Sequence, residues 1–214
     1  MGRQMRFDRG GVSEVGRGSS AKSVVIAGLT AVLFFFGLLI TERIPEIPVD
    51  IDFKPFFIPF LLVALLPRPT SWAVGLGAAL GEGFGDIIEG YEPDDAFGFI
   101  GYVVCFVLAG YMIGNRPRNW LLVSAACLLG AFVQAVMEAA TFLIFGSEAL
   151  PVAIQSALGN TLTHGVVLGL VPTLILILLL HGRIERLLGF APKGEDHEED
   201  GEEVAQRARD KERA

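Results

Sequence analysis

Long apolar runs alternate along the chain with short connections that carry nearly all of its charge. A helix needs about 20 apolar residues to cross a hydrocarbon core of about 30 Å. On that measure the pattern predicts six spans, over roughly 21–40, 55–66, 71–88, 96–114, 120–145 and from 151 past 180. The second run is short and contains Pro59, so it reads either as a tilted or broken helix or as a re-entrant segment completed by residues 47–53. Pro151 suits the first turn of the sixth helix. Pro172 predicts a kink within that helix, which is over-long and should tilt or project from the bilayer.

Lys and Arg orient these spans. Arg3, Arg6, Arg9, Arg17 and Lys22 precede the first, Arg68 separates the second from the third, Arg116 and Arg118 separate the fourth from the fifth, and Arg183, Arg186 and Lys193 follow the sixth. The other connections hold only Arg43 and Lys54, against Glu42, Glu46, Asp50, Asp52, Glu92, Asp94, Asp95 and Glu148. The positive-inside rule places both termini in the cytoplasm, and the alternation holds at every turn. The expected fold is therefore an all-α membrane protein with six transmembrane helices. Residues 1–20 form a cytoplasmic leader into a retained first span, 21–190 the membrane domain, and 191–214 an acidic tail.

Composition sharpens this reading. Hydrophobic residues make up 52% of the 214 and charged residues only 19%, values that belong to an integral membrane protein. The tail from 194 onward holds nine acids against four bases, so it carries −5 of the net −7. It reads as a solvated, disordered segment or as a short docking element. Neither part suggests nucleic-acid binding. Cys105 and Cys127 fall within apolar runs as small packing residues, and no CxxC, HExxH or phosphate-binding loop occurs, so no metal or cofactor is expected.

The candidate chemistry lies in acids that the spans bury. A carboxylate at the bilayer centre costs roughly 3 kcal/mol, so it usually faces a cavity or a partner. Glu82, Asp86 and Glu89 recur at i, i+4 and i+7 on one glycine-rich face of the third span. Glu89 reads as interfacial, while Glu82 and Asp86 read either as a packed, partly protonated pair or as part of a ligand site. Gln134 and Glu138 share a face of the fifth span, and Gln155, Ser156, Asn160, Thr163 and His164 lie on the sixth. A short connection makes these two helices antiparallel neighbours. A substrate site of Glu82, Asp86, Gln134, Glu138, Asn160 and His164, open to the outside, is expected. The proline-stiffened segment 44–57 reads either as a lid in which Asp50, Asp52, Phe53 and Phe56 gate the pocket, or as an interfacial stretch with aromatic anchors. Ala27 and Ala31 form a small-xxx-small patch suited to close helix packing.

Taken together, the Ala27–Ala31 patch, the long connection at 42–54, the stretch 60–90 with its Leu-Gly-Ala-Ala-Leu-Gly run, and the glycine-bearing run 101–114 resemble the substrate-binding S components of energy-coupling factor (ECF) vitamin transporters. The resemblance covers residues 21–188. It implies a non-enzymatic capture subunit in a prokaryotic cell membrane, surrounded by membrane lipid, which takes a small-molecule vitamin or precursor from outside. It also implies docking through Ala27 and Ala31 to an ECF transmembrane coupling subunit with two cytosolic ATPases. The acids favour a cationic or amine-bearing substrate. Two rival classes remain: a secondary transporter or proton- or cation-coupled permease using Glu82, Asp86, Glu138 and His164, and an intramembrane hydrolase, for which a single His among carboxylates is a meagre zinc set.

Overall fold

The computed structural model describes residues 12–41, 43, 51–90, 95–145 and 149–191. Among these, every regular element is a helix: α1 (Val12–Thr41), α2 (Phe57–Leu65), a short 3-10 turn (Arg68–Thr70), α3 (Ser71–Glu89), α4 (Asp95–Ile113), α5 (Trp120–Ile144), α6 (Leu150–Leu162), a π-helical segment (Thr163–Leu170), α7 (Val171–Leu180) and α8 (Arg183–Leu187). Four helical stretches are long and apolar enough to cross a membrane: Ser20–Thr41, Asp95–Ile113, Trp120–Ile144 and Leu150–Leu180. The other two expected spans fall short for different reasons. α2 has nine residues and so rises only about 14 Å. α3 has 19 residues, but Glu82, Asp86 and Glu89 interrupt its apolar character.

Solvent-facing apolar side chains are the rule on the outside of the bundle. Val24, Phe36, Ile87, Ile88 and Leu178 are exposed, whereas Glu82, Gln134, Asn160 and His164 are buried. An apolar exterior around a partly polar interior is stable in lipid and costly in water.

Small residues set how closely the helices approach. α3 packs between α1 and α4, and α5 between α4 and α6. A Cβ at Gly77 would collide with the Ala27 carbonyl oxygen, and one at Gly81 would lie 2.7 Å from the Ala31 carbonyl oxygen. Ala27 and Ala31 are correspondingly buried, at 9% and 7% exposure. The patch expected to dock a coupling subunit is instead covered by α3. A small-residue stripe does not say which helix it meets, and within this chain it meets α3.

An aromatic core holds α2 beneath the bundle's polar end. Phe56, Phe60, Tyr102 and Phe106 are fully buried, with Phe56 centroids 5.8 Å from Phe60, 5.5 Å from Tyr102 and 5.4 Å from Phe106. The long C-terminal rod also departs from expectation. A π-helical stretch precedes Pro172, a local widening that accommodates a ring unable to continue the hydrogen-bond ladder. The rod ends at Leu180 rather than running on. Gly182 adopts φ 76°, the chain turns, and Glu185 is buried while accepting the Gly182 N–H at 2.7 Å. Lys22 of α1 then donates to the Gly189 carbonyl at 2.7 Å and lies 4.6 Å from the Phe190 ring centroid. The overhang is folded back onto the bundle.

Candidate functional site

The extended stretch before α2 supplies the centre of the site. Pro55 packs against Gly37 of α1, where a Cβ would lie 2.7 Å from Pro55 Cγ. Phe56 stacks on His164, with centroids 4.4 Å apart and planes inclined by 12°. Anchored by these two residues, Lys54 projects its ammonium among three carboxylates. Its Nζ lies 2.9 Å from Asp52 Oδ2, 2.8 Å from Glu82 Oε1 and 2.9 Å from Glu138 Oε1. An ammonium has three N–H donors, so each finds an acceptor.

The surrounding residues orient this cluster. Glu138 accepts from Gln134 Nε2 at 2.8 Å, the i, i+4 contact that their spacing on α5 provides. Asp52 Oδ1 lies 2.7 Å from His164 Nε2, and the Asp52 backbone N–H donates to Asn160 Oδ1 at 3.1 Å. Asn160 and His164 are thus one helical turn apart and grip the same residue. Burial opposes ionisation of Asp52, but Lys54 and His164 beside it hold its carboxyl well below the usual range. Burial likewise opposes the charged form of Lys54, and Asp52, Glu138 and Glu82 overcome it, holding the ammonium well above its ordinary value.

Beside the cluster lies a cavity of about 180 Å³ lined by Asp52, Lys54, Glu82, Asp86, Asp95, Gly98, Tyr102, Glu138, Thr141, Phe142 and Asn160. Glu82, Asp86, Glu138 and Asn160 therefore meet there as their spacing suggests. Gln134 and His164 are fully buried and contact Glu138 and Asp52, respectively. Gln155 points outward. Of the expected gating residues, Asp52 is within the site and Phe53 is partly buried, while Asp50 lies outside the described residues. Phe56 is fully buried in the aromatic core and stacked on His164. In this structure the enclosed, stacked ring anchors the segment that carries Lys54. Glu89 belongs to α3, but its side chain lies outside the described residues.

Lys54 and Tyr102 complete the site without having been singled out as binding residues. Lys54 did leave a signal. It is one of only two basic residues in connections otherwise filled with acids, a departure from the positive-inside pattern directly before an apolar run. Its presence revises the charge argument, because one cation needed by the buried acids is built into the chain. Among the described residues, no group of three or more His, Cys, Asp and Glu is arranged to hold a metal ion.

A model for a family of unknown function (DUF8171) matches residues 147–209, which include α6, Asn160 and His164. No curated protein and no solved structure matches the chain.

Proposed function

We propose that this protein is the substrate-capture subunit of an ATP-driven micronutrient importer of the ECF type, with six spans and both termini in the cytoplasm. The observation that carries the reading is the chamber itself: a polar cavity lined by α3, α4, α5 and α6, with acids from α3 and α5 held by a lysine from the connecting segment. The chamber is built from the C-terminal ends of α3 and α5, the N-terminal end of α4 and the adjoining part of α6. Arg68, Arg116, Arg118 and Arg183 mark the opposite end, which the positive-inside rule assigns to the cytoplasm. The chamber thus faces outward. Binding there needs no chemistry beyond desolvation and hydrogen bonding, which suits capture rather than catalysis. With Ala27 and Ala31 covered by α3, docking to a coupling subunit falls to other surfaces of the cytoplasmic half.

The test is reconstitution. Purified protein should retain a small nutrient from a vitamin panel, and uptake into proteoliposomes should require an added coupling subunit and its ATPases. A second reading, a proton- or cation-coupled permease, draws on the buried ammonium–carboxylate cluster, since intramembrane ionisable groups often mark ion pathways. Transport by the protein alone, driven by a gradient, would establish that reading and remove the first.

A further inference from the structure

The chamber continues past Glu82. A second cavity, of about 190 Å³, lies along the α3–α4 seam and is lined by Ala79, Glu82, Gly83, Asp86, Asp95, Ala96 and Phe99. Glu82, Asp86 and Asp95 line both cavities, so the two share a carboxylate wall. On the Lys54 side, Glu82 Oε1 is paired with the ammonium. Its Oε2 is buried and has no hydrogen-bond partner, in a residue only 8% exposed. Tyr102, fully buried on the chamber wall, also has an unpartnered hydroxyl. Buried polar atoms without partners are costly unless something completes them.

Two glycines keep this space open. A Cβ at Gly83 or at Gly98 would meet nothing within 4 Å. Glycine in a helix interior costs about 1 kcal/mol relative to alanine, so at these positions it does not serve helix stability. Gly81 and Gly77, two and six residues before Gly83 on α3, are by contrast closed off by the backbone of α1.

We propose that the joined cavities form one binding site for a flat organic cation with N–H donors. Its positive head is held by the carboxyl groups of Glu82, Asp86 and Asp95, and its apolar body lies along Ala79, Ala96 and Phe99 over the glycine-opened seam. Among the described residues five acid side chains and one ammonium, that of Lys54, line the site, a surplus of acids that favours a cation over an anion. An N–H donor on the ligand would complete the unpartnered Glu82 oxygen, which favours an amidine or amine over a quaternary ammonium ion. Lys54 remains in place as the inner wall. The proposal rests on the capture reading only in having the ligand arrive from outside.

The probe is benzamidinium, with neutral, isosteric benzamide as control, measured by calorimetry and thermal shift on the detergent-purified full chain. The expected result is saturable binding of benzamidinium, with benzamide at least tenfold weaker. Gly83→Val and Gly98→Val should each weaken benzamidinium at least tenfold while leaving the thermal midpoint of the unliganded protein within a few degrees of wild type. Asp86→Asn, which leaves the Lys54 ion pairs intact, should weaken it severalfold. Equal binding of benzamide, no binding of either compound, or full affinity in both glycine variants would overturn the proposal. Partner-dependent nutrient uptake without benzamidinium binding would reject this site and leave the importer reading standing. Benzamidinium binding combined with partner-independent transport would do the reverse.

Discussion

Lys54 Nζ and Glu82 Oε1 lie 2.8 Å apart, joining a connecting segment to the middle of α3. The same ammonium reaches Glu138 on α5, 84 residues away in sequence. One side chain therefore ties three parts of the bundle together. Removing a partner from a buried ion pair is more damaging than the pair is stabilising, because a desolvated charge is left behind.

Lys54→Met should accordingly destabilise the protein by about 3–5 kcal/mol, whereas Lys54→Arg, which keeps a cation, should lose much less. Thermal unfolding in detergent checks this ordering. If the methionine variant matches wild type, the three carboxylates are not charged together.

Asp52 should stay ionised in mild acid. Its folded-state pKa is depressed, so its contribution to stability is present above the unfolded value of 3.8 and is lost only as pH falls through the lower folded value. The carboxyl 13C resonance of Asp52 should be flat from pH 7 down to pH 4. His164→Leu removes one of the two groups that hold it down and should move its titration upward. The substitution also removes the ion-pair partner 2.7 Å from Asp52 Oδ1 and should lower the thermal midpoint.

The α1–α3 seam should tolerate no added bulk. Gly77→Val forces a side chain into the backbone of Ala27 and should cost at least about 1–3 kcal/mol. Gly28→Ala, where a Cβ meets nothing within 4 Å, should be neutral or stabilising by up to about 1 kcal/mol. Comparing the two midpoints separates packing from helix propensity.

The proposed six-span topology makes a labelling prediction. In a background lacking Cys105 and Cys127, Arg43→Cys and Ala149→Cys should react with an impermeant maleimide in intact cells. Pro69→Cys and Arg118→Cys should react only after permeabilisation. Labelling of Pro69→Cys from outside would mean that α2 and α3 do not cross.

Much of this molecule follows from local order in the chain. Apolar run length implied membrane helices, and the fixed helical period put Gln134 beside Glu138 and Asn160 beside His164, because residues four apart share a face whatever surrounds them. The acids within apolar stretches marked the chamber for a similarly local reason, since burying a charge in lipid without a partner is too costly. Which groups would answer those charges was not local. Asp52 meets Asn160 across 108 residues, Lys54 fills the space among the acids, and Ala27 and Ala31 pack against the glycines of α3. Spacing along one helix cannot encode which neighbouring helix its face will meet. That choice arises only when all the helices pack at once, and here it decided both the charge balance of the chamber and where its open space lies.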